Sequence, residues 1–158
     1  YFPAPGPATA RALAYWAPLT PTDVRRGPAP PAGRLESFDH GDRTYWHAPG
    51  GAAASTSPEG HLLQVLDEMY RGYQDSRWVL DADELLSRGR ETAIGMALVD
   101  GQVVAGMKRT LTTRAVTFEI RKLRRLAPEE EDAIQDAAAR CARYLELEPR
   151  LVWQEPPA

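Results

Sequence analysis

The sequence predicts an α+β chain: a short helical segment closed by a hairpin, then a small antiparallel β domain packed with a C-terminal helix. Three observations predict it. Residues 8–26 carry helical spacing interrupted by Pro18. Residues 93–122 alternate apolar and polar side chains around the turn pair Asp100-Gly101. Residues 128–145 form one amphipathic run opened by Pro128 and by the acidic stretch Glu129, Glu130, Glu131 and Asp132. A chain of 158 residues that is 43% hydrophobic has material for one ordinary core or two small ones.

In the first helix, Leu13 and Trp16 fall three apart with Ala12 beside them, and Thr9 is placed to cap the N-terminus. Pro18 ends it, since a proline interior to a helix loses a hydrogen bond and clashes with the preceding turn. A second helix opens at once: Thr20 as cap, Pro21 at the first helical position, Asp23 in the first turn, and Arg25 and Arg26 after it. Two short helices joined by a tight turn make a helix-turn-helix candidate, although any packed helix pair shares the pattern. The stretch "GPAPPAG" (27–33) breaks the second helix. Turn residues 39–42 then separate residues 35–38 from 43–46 as a hairpin. Helix, turn, helix, hairpin is the element order of a winged helix with the hairpin as its wing. Residues 47–60 are rich in Gly, Ala, Ser and Pro and read as a linker. The expected organisation is thus a winged helix-like segment at 1–46, a linker at 47–60 and a C-terminal α+β domain at 61–158.

That domain is expected to begin with a helix, because Leu62, Leu66, Met69 and Tyr73 share one helical face. Strands follow. Asp100-Gly101 is a strong hairpin signal, and Val116, Phe118 and Ile120 alternate with Thr117, Glu119 and Arg121. Strands with one apolar face need a cover. The last helix supplies it with the stripe Ile134, Ala137, Ala138, Cys141, Tyr144 and Leu145, its acidic first turn favoured by the helix dipole. Glu148-Pro149 closes that helix, and one more short strand is expected after it.

Composition and motifs narrow the chemistry. There is no apolar run near the roughly 18 residues that span a membrane, and no leader pattern at the start, so a cytoplasmic rather than a secreted protein is expected. A single cysteine excludes an internal disulfide framework, and Cys141 reads as a small buried hydrophobe. His40, His47, His61 and Cys141 share no ligand spacing, so neither a metal nor another cofactor is expected. Asp67 and Glu68 point about 100° apart on a helix and would not converge on one substrate. Gly-rich phosphate loops, nucleophile elbows and HExxH motifs are missing, and no catalytic residue is assigned. The chain opens on Tyr1 as if mid-protein, and the remainder of a parent protein is expected upstream.

The chain is acidic, with a formal net charge of -3, yet its cations are concentrated. Lys108, Arg109, Arg114, Arg121, Lys122, Arg124 and Arg125 stand against Glu119 alone between 108 and 125. Asymmetry of this kind matters for polyanion binding more than the total does. Lys108, Arg109 and Arg114 flank a hairpin tip whose Thr112 carries a hydroxyl suited to phosphate oxygens. The competing reading is a solvated strand face, with residues 129–132 neutralising Arg124 and Arg125. The candidate contacts to double-stranded DNA are Lys108, Arg109, Thr112, Arg114, Arg121 and Lys122, with Arg25 and Arg26 from the second helix.

Three stretches, "GHLLQVLDEMYRGYQDSR", "ALVDGQVVAGMKRTL" and "LRRLAPEEEDAIQDAAARCARYLEL", together with the N-terminal "GPATARALAYWAPLTPTDVRR" and "GDRTYWHAP", resemble the C-terminal part of a bacterial family. These are the winged helix DNA-binding domain proteins that include the AlkZ-like DNA glycosylases, which unhook interstrand crosslinks. The resemblance covers nearly the whole chain. It implies tandem winged helices followed by a small barrel-like domain curved around duplex DNA, of which this chain would hold the last winged helix and the terminal domain. It further implies a DNA-repair module whose catalytic Gln-based motif lies in an N-terminal part. Gln64-Val65-Leu66 and Gln102-Val103-Val104 lack the second polar residue of that motif. The chain also departs from the family pattern at Met107, where a Trp is usual, and at Ala127, where a capping Ser or Thr is usual. The alternative is a non-catalytic regulatory or protein-interaction protein, since a winged helix does not by itself fix function.

Overall fold

The computed structural model describes residues 1–2, 6–26, 34–50, 57–73, 79–86 and 95–156. The "GPAPPAG" break and linker residues 51–56 lie outside them. The chain divides into two compact units: Tyr1–Ala54 with Glu68–Ser76, and Ser55–Asp67 with Arg77–Ala158.

In the first unit, α1 spans Ala10–Trp16 and is capped as its sequence requires: Thr9 Oγ1 accepts the Ala12 N–H at 3.1 Å. Ala12 and Ala14 are its buried positions. Helix α2 spans Pro21–Arg26. Its first turn is closed reciprocally, with the Asp23 N–H donating to Thr20 Oγ1 at 3.1 Å and the Thr20 N–H donating to Asp23 Oδ2 at 3.0 Å. The Thr20 hydroxyl, donating to Asp23 Oδ2 at 2.5 Å, and then the Thr20 N–H hold the Asp23 carboxyl below its usual range. Strands β1 (Glu36–His40) and β2 (Arg43–His47) pair antiparallel around a two-residue loop. Gly41 sits there at φ +62°, the left-handed region that such a loop requires at its first position. Ala8 docks on β2 through two backbone bonds with Trp46, of 3.0 and 2.9 Å. The short helix α3 (Glu68–Arg71) also belongs to this unit, and the Trp16 indole donates to the Glu68 carboxylate.

The second unit is a five-stranded sheet in the order β3 (Gly60–Leu63), β4 (Gly95–Val99), β5 (Gln102–Leu111), β6 (Ala115–Lys122), β7 (Glu148–Gln154). Asp100 and Gly101 turn β4 into β5 with φ +49° and +77°, the paired left-handed conformation of a tight hairpin. Asp100 also fixes the start of β3, accepting the Glu59 N–H at 2.8 Å. Helix α4 (Pro128–Leu145) packs against β3, β4, β6 and β7. Val116, Phe118 and Ile120 are fully buried and form the core with Ala97, Val99, Val104, Met107, Ile134 and Ala138, as their alternation predicts. The opposite face of β4 is buried as well, at Met96 and Leu98. Among the described residues, no helix is long and apolar enough to cross a membrane.

Four expectations are corrected. Residues 60–63 are a strand, not the start of a helix, and the supposed helical face is split. Leu62 packs partly buried against the sheet core, whereas Leu66 is 74% exposed. The reason is tertiary: β3 pairs with β4 from Gly60 opposite Val99 to Leu63 opposite Met96, and Gly60 lies against the α4 backbone. The sheet is open, with β3 and β7 as its edges, rather than barrel-like. It is also mixed, because β7 pairs parallel to β6 with α4 as the crossover. Tyr144 is 87% exposed, and Ala142 takes its place in the buried stripe.

Candidate nucleic-acid interface

Residues paired across neighbouring strands share a face of the sheet. Lys108 pairs with Glu119, Thr110 with Thr117 and Gly106 with Arg121 across β5 and β6. Across β6 and β7, Thr117 pairs with Arg150, Glu119 with Val152 and Arg121 with Gln154. The face turned away from α4 therefore carries Lys108, Arg121 and Arg150, interleaved with threonines and with the carboxylates Glu119 and Glu148. Lys108 is the cation already engaged there, 3.6 Å from Glu119. Arg121 and Arg150 are exposed and make no ion pair among the described residues. A shallow depression of about 180 Å³ lies on this face, lined by Gly106, Met107, Lys108, Glu119, Arg121 and Gln154.

The other expected contacts are dispersed. Arg109 pairs with Phe118 and so projects to the α4 side of the sheet, exposed beyond the core. Arg114 is exposed at the β5–β6 tip. Thr112 shapes that tip: its hydroxyl donates to the Ala115 carbonyl and its oxygen accepts the Ala115 N–H, both at 3.0 Å. That hydroxyl is spent inside the turn. Arg26 is exposed at the end of α2, and the Arg25 side chain lies outside the described residues.

Lys122 is a structural cation. It is 6% exposed, with its ammonium 2.6 Å from Glu131 and 2.8 Å from Glu155, over the Trp153 ring at 5.2 Å. The hydrogen bond to Glu131, then that to Glu155, pushes its pKa up. Arg124 is held in the same way, by a two-pronged contact with Glu130 at 2.7 and 2.9 Å. Glu130 also accepts the Ala127 N–H at 2.9 Å, so it makes the half of a capping box that Ala127 leaves possible. The acidic first turn of α4 thus neutralises Lys122 and Arg124, where the charge pattern pointed to Arg124 and Arg125. Arg150 is the cation that sequence reasoning missed. Its signal is the alternation of Leu151 and Trp153, which pack on the core, with Arg150, Val152 and Gln154.

The first unit contributes an open groove of about 530 Å³ between α1 and the hairpin, lined by Thr9, Ala10, Arg11, Asp42, Arg43, Thr44 and Trp46. No group of metal-binding side chains occurs among the described residues.

Comparison with known proteins agrees with this architecture. No curated protein matches the chain. Among solved structures, the Streptomyces sahachiroi DNA glycosylase AlkZ is similar, with a TM-score of 0.61 at 18% identity over 95% of this chain. The chain spans 42% of that protein's length. The family described as "DNA glycosylase AlkZ-like" matches residues 1–144. The chain belongs to the AlkZ-like DNA glycosylase family.

Proposed function

We propose that this chain is a duplex-DNA-binding module of a DNA-repair protein related to the AlkZ-like glycosylases. Residues 1–46 act as its winged helix, with β1–β2 as the wing, and residues 61–158 form the terminal domain, which meets the DNA backbone. The observation that carries the reading is the sheet face with Arg121 and Arg150, exposed and without an ion pair among the described residues, beside Lys108 and continued at the tip by Arg114. Cations spaced along neighbouring strands suit phosphates, and the threonines between them suit phosphate oxygens. Arg109 extends the contact, and Arg26 is a separate phosphate contact of the first unit; Lys122 and Thr112 are committed to the fold and take no part. Phosphate contact positions a protein on DNA without reading its sequence, so binding is expected to tolerate sequence changes. Hydrolysis of a base–sugar bond belongs, on this reading, to a longer protein that uses the chain as a clamp.

Retardation of a fully paired duplex tests the reading. Binding is expected at about 50 mM salt and should fall steeply as salt is raised. A nuclease-treated chain that retards no duplex at low salt is instead a regulatory or protein-interaction protein.

A further inference from the structure

The β1–β2 hairpin has two different faces. Ser37, Asp39, Thr44 and Trp46 share one, and Trp46 and Thr44 line the groove beside α1. The other carries Glu36, Phe38 and His40 from β1 with Arg43, Tyr45 and His47 from β2. On it the Phe38 and Tyr45 rings stack with centroids 5.5 Å apart and planes 11° from parallel. His47 adds a third ring 5.7 Å from Phe38, oriented by a 2.7 Å bond from its Nδ1 to the Ala48 carbonyl. Phe38 remains 45% exposed.

Cross-strand stacking of Phe38 on Tyr45 helps hold the hairpin, yet it leaves Phe38 exposed, with Tyr45 and His47 half-buried beside it, so the row still offers ring surface to a partner. Such a row is what a planar partner needs, since every nucleobase offers a π-face and base–aromatic stacking is tolerant of base identity. The polar surroundings fit the same partner. Arg43 and two imidazoles, His40 and His47, edge the rings against one carboxylate, Glu36, and Arg43 lies 3.7 Å from Asp42 at the turn. A purely apolar protein partner would leave these groups desolvated and unmatched.

We propose that the Phe38–Tyr45–His47 face of the hairpin is a stacking platform for an unpaired nucleobase in DNA. The proposal rests on the DNA-binding reading above and adds a preference for a base outside the duplex stack.

The test uses the 158-residue chain with two duplexes, one fully paired and one carrying a single unpaired 2-aminopurine, whose fluorescence falls on stacking. Wild-type chain should bind the second duplex more tightly and quench the probe. Replacing both rings (Phe38→Leu with Tyr45→Leu) should abolish quenching and cost about tenfold in affinity for that duplex relative to any change in paired-duplex affinity. Phe38→Trp and Tyr45→Phe, which keep the rings, should retain both effects. Tyr144→Ala, an exposed aromatic on α4, should change neither. A wild-type chain that binds both duplexes equally without quenching overturns the platform and leaves the DNA-binding reading intact. So does quenching that survives the double Leu change. A chain that binds neither duplex overturns both.

Discussion

The Lys122 ammonium donates to Glu131 at 2.6 Å, tying the end of β6 to the first turn of α4. Its neighbour in sequence, Arg121, is exposed on the opposite face of the same strand. One strand thus divides its cations into one that holds the fold together and one that is offered to solvent.

Lys122→Met is expected to lower the midpoint of thermal unfolding, because Glu131 and Glu155 lose the charge that pairs them. It should leave the salt dependence of DNA binding as it was. Thermal melts paired with salt titrations separate the two effects, and a change confined to the titration would place Lys122 in the interface.

The hydrogen bond from Arg124 holds the Glu130 carboxyl below its ordinary value; burial works against it, and the Ala127 N–H adds to the lowering. A depressed carboxyl contributes stability above its unfolded pKa and loses it as pH falls through the folded value. Stability should therefore decline on the acid side of the ordinary carboxylate range, and Glu130→Gln should flatten that decline. Denaturant titrations at a series of acidic pH values check it.

Gly60→Ala should loosen β3 from the sheet. A Cβ built there would lie 2.2 Å from the Ala133 carbonyl oxygen, a backbone atom of α4 that cannot swing away. The expected cost is about 1–3 kcal/mol, the range for overpacking a tight contact, read from chemical denaturation. An unchanged midpoint would show that α4 and β3 are less closely apposed.

Phe118→Ala, at a position with no exposed surface, should cost about 3–5 kcal/mol, the range for removing a buried aromatic. The exposed Tyr144→Ala should cost almost nothing by the same measurement, although both residues lie on apolar-patterned faces of their elements.

Local chemistry made part of this fold legible in advance. The Thr9 cap, the Thr20–Asp23 turn, the Gly41 hairpin and the Asp100-Gly101 turn each depend on residues a few positions apart, and each forms. What escaped the sequence depends on distant partners. Residues 60–63 become a strand because β4 and the α4 backbone lie beside them. Arg150 reaches the cationic face because α4 returns β7 parallel to β6. Lys122 is withdrawn from solvent by Glu155, which lies 33 positions away. No periodicity in a single stretch encodes these pairings, and the number of available cations depends on them.

The most direct test of the DNA-binding account is a salt titration of duplex affinity for the wild-type chain and for a variant with Arg114, Arg121 and Arg150 changed to Ala. Each phosphate contact contributes about 0.9 to the slope of log affinity against log salt, so the variant's slope should be shallower by roughly 3 if all three meet phosphates. A slope unchanged in this variant would contradict the assignment of the sheet face to DNA.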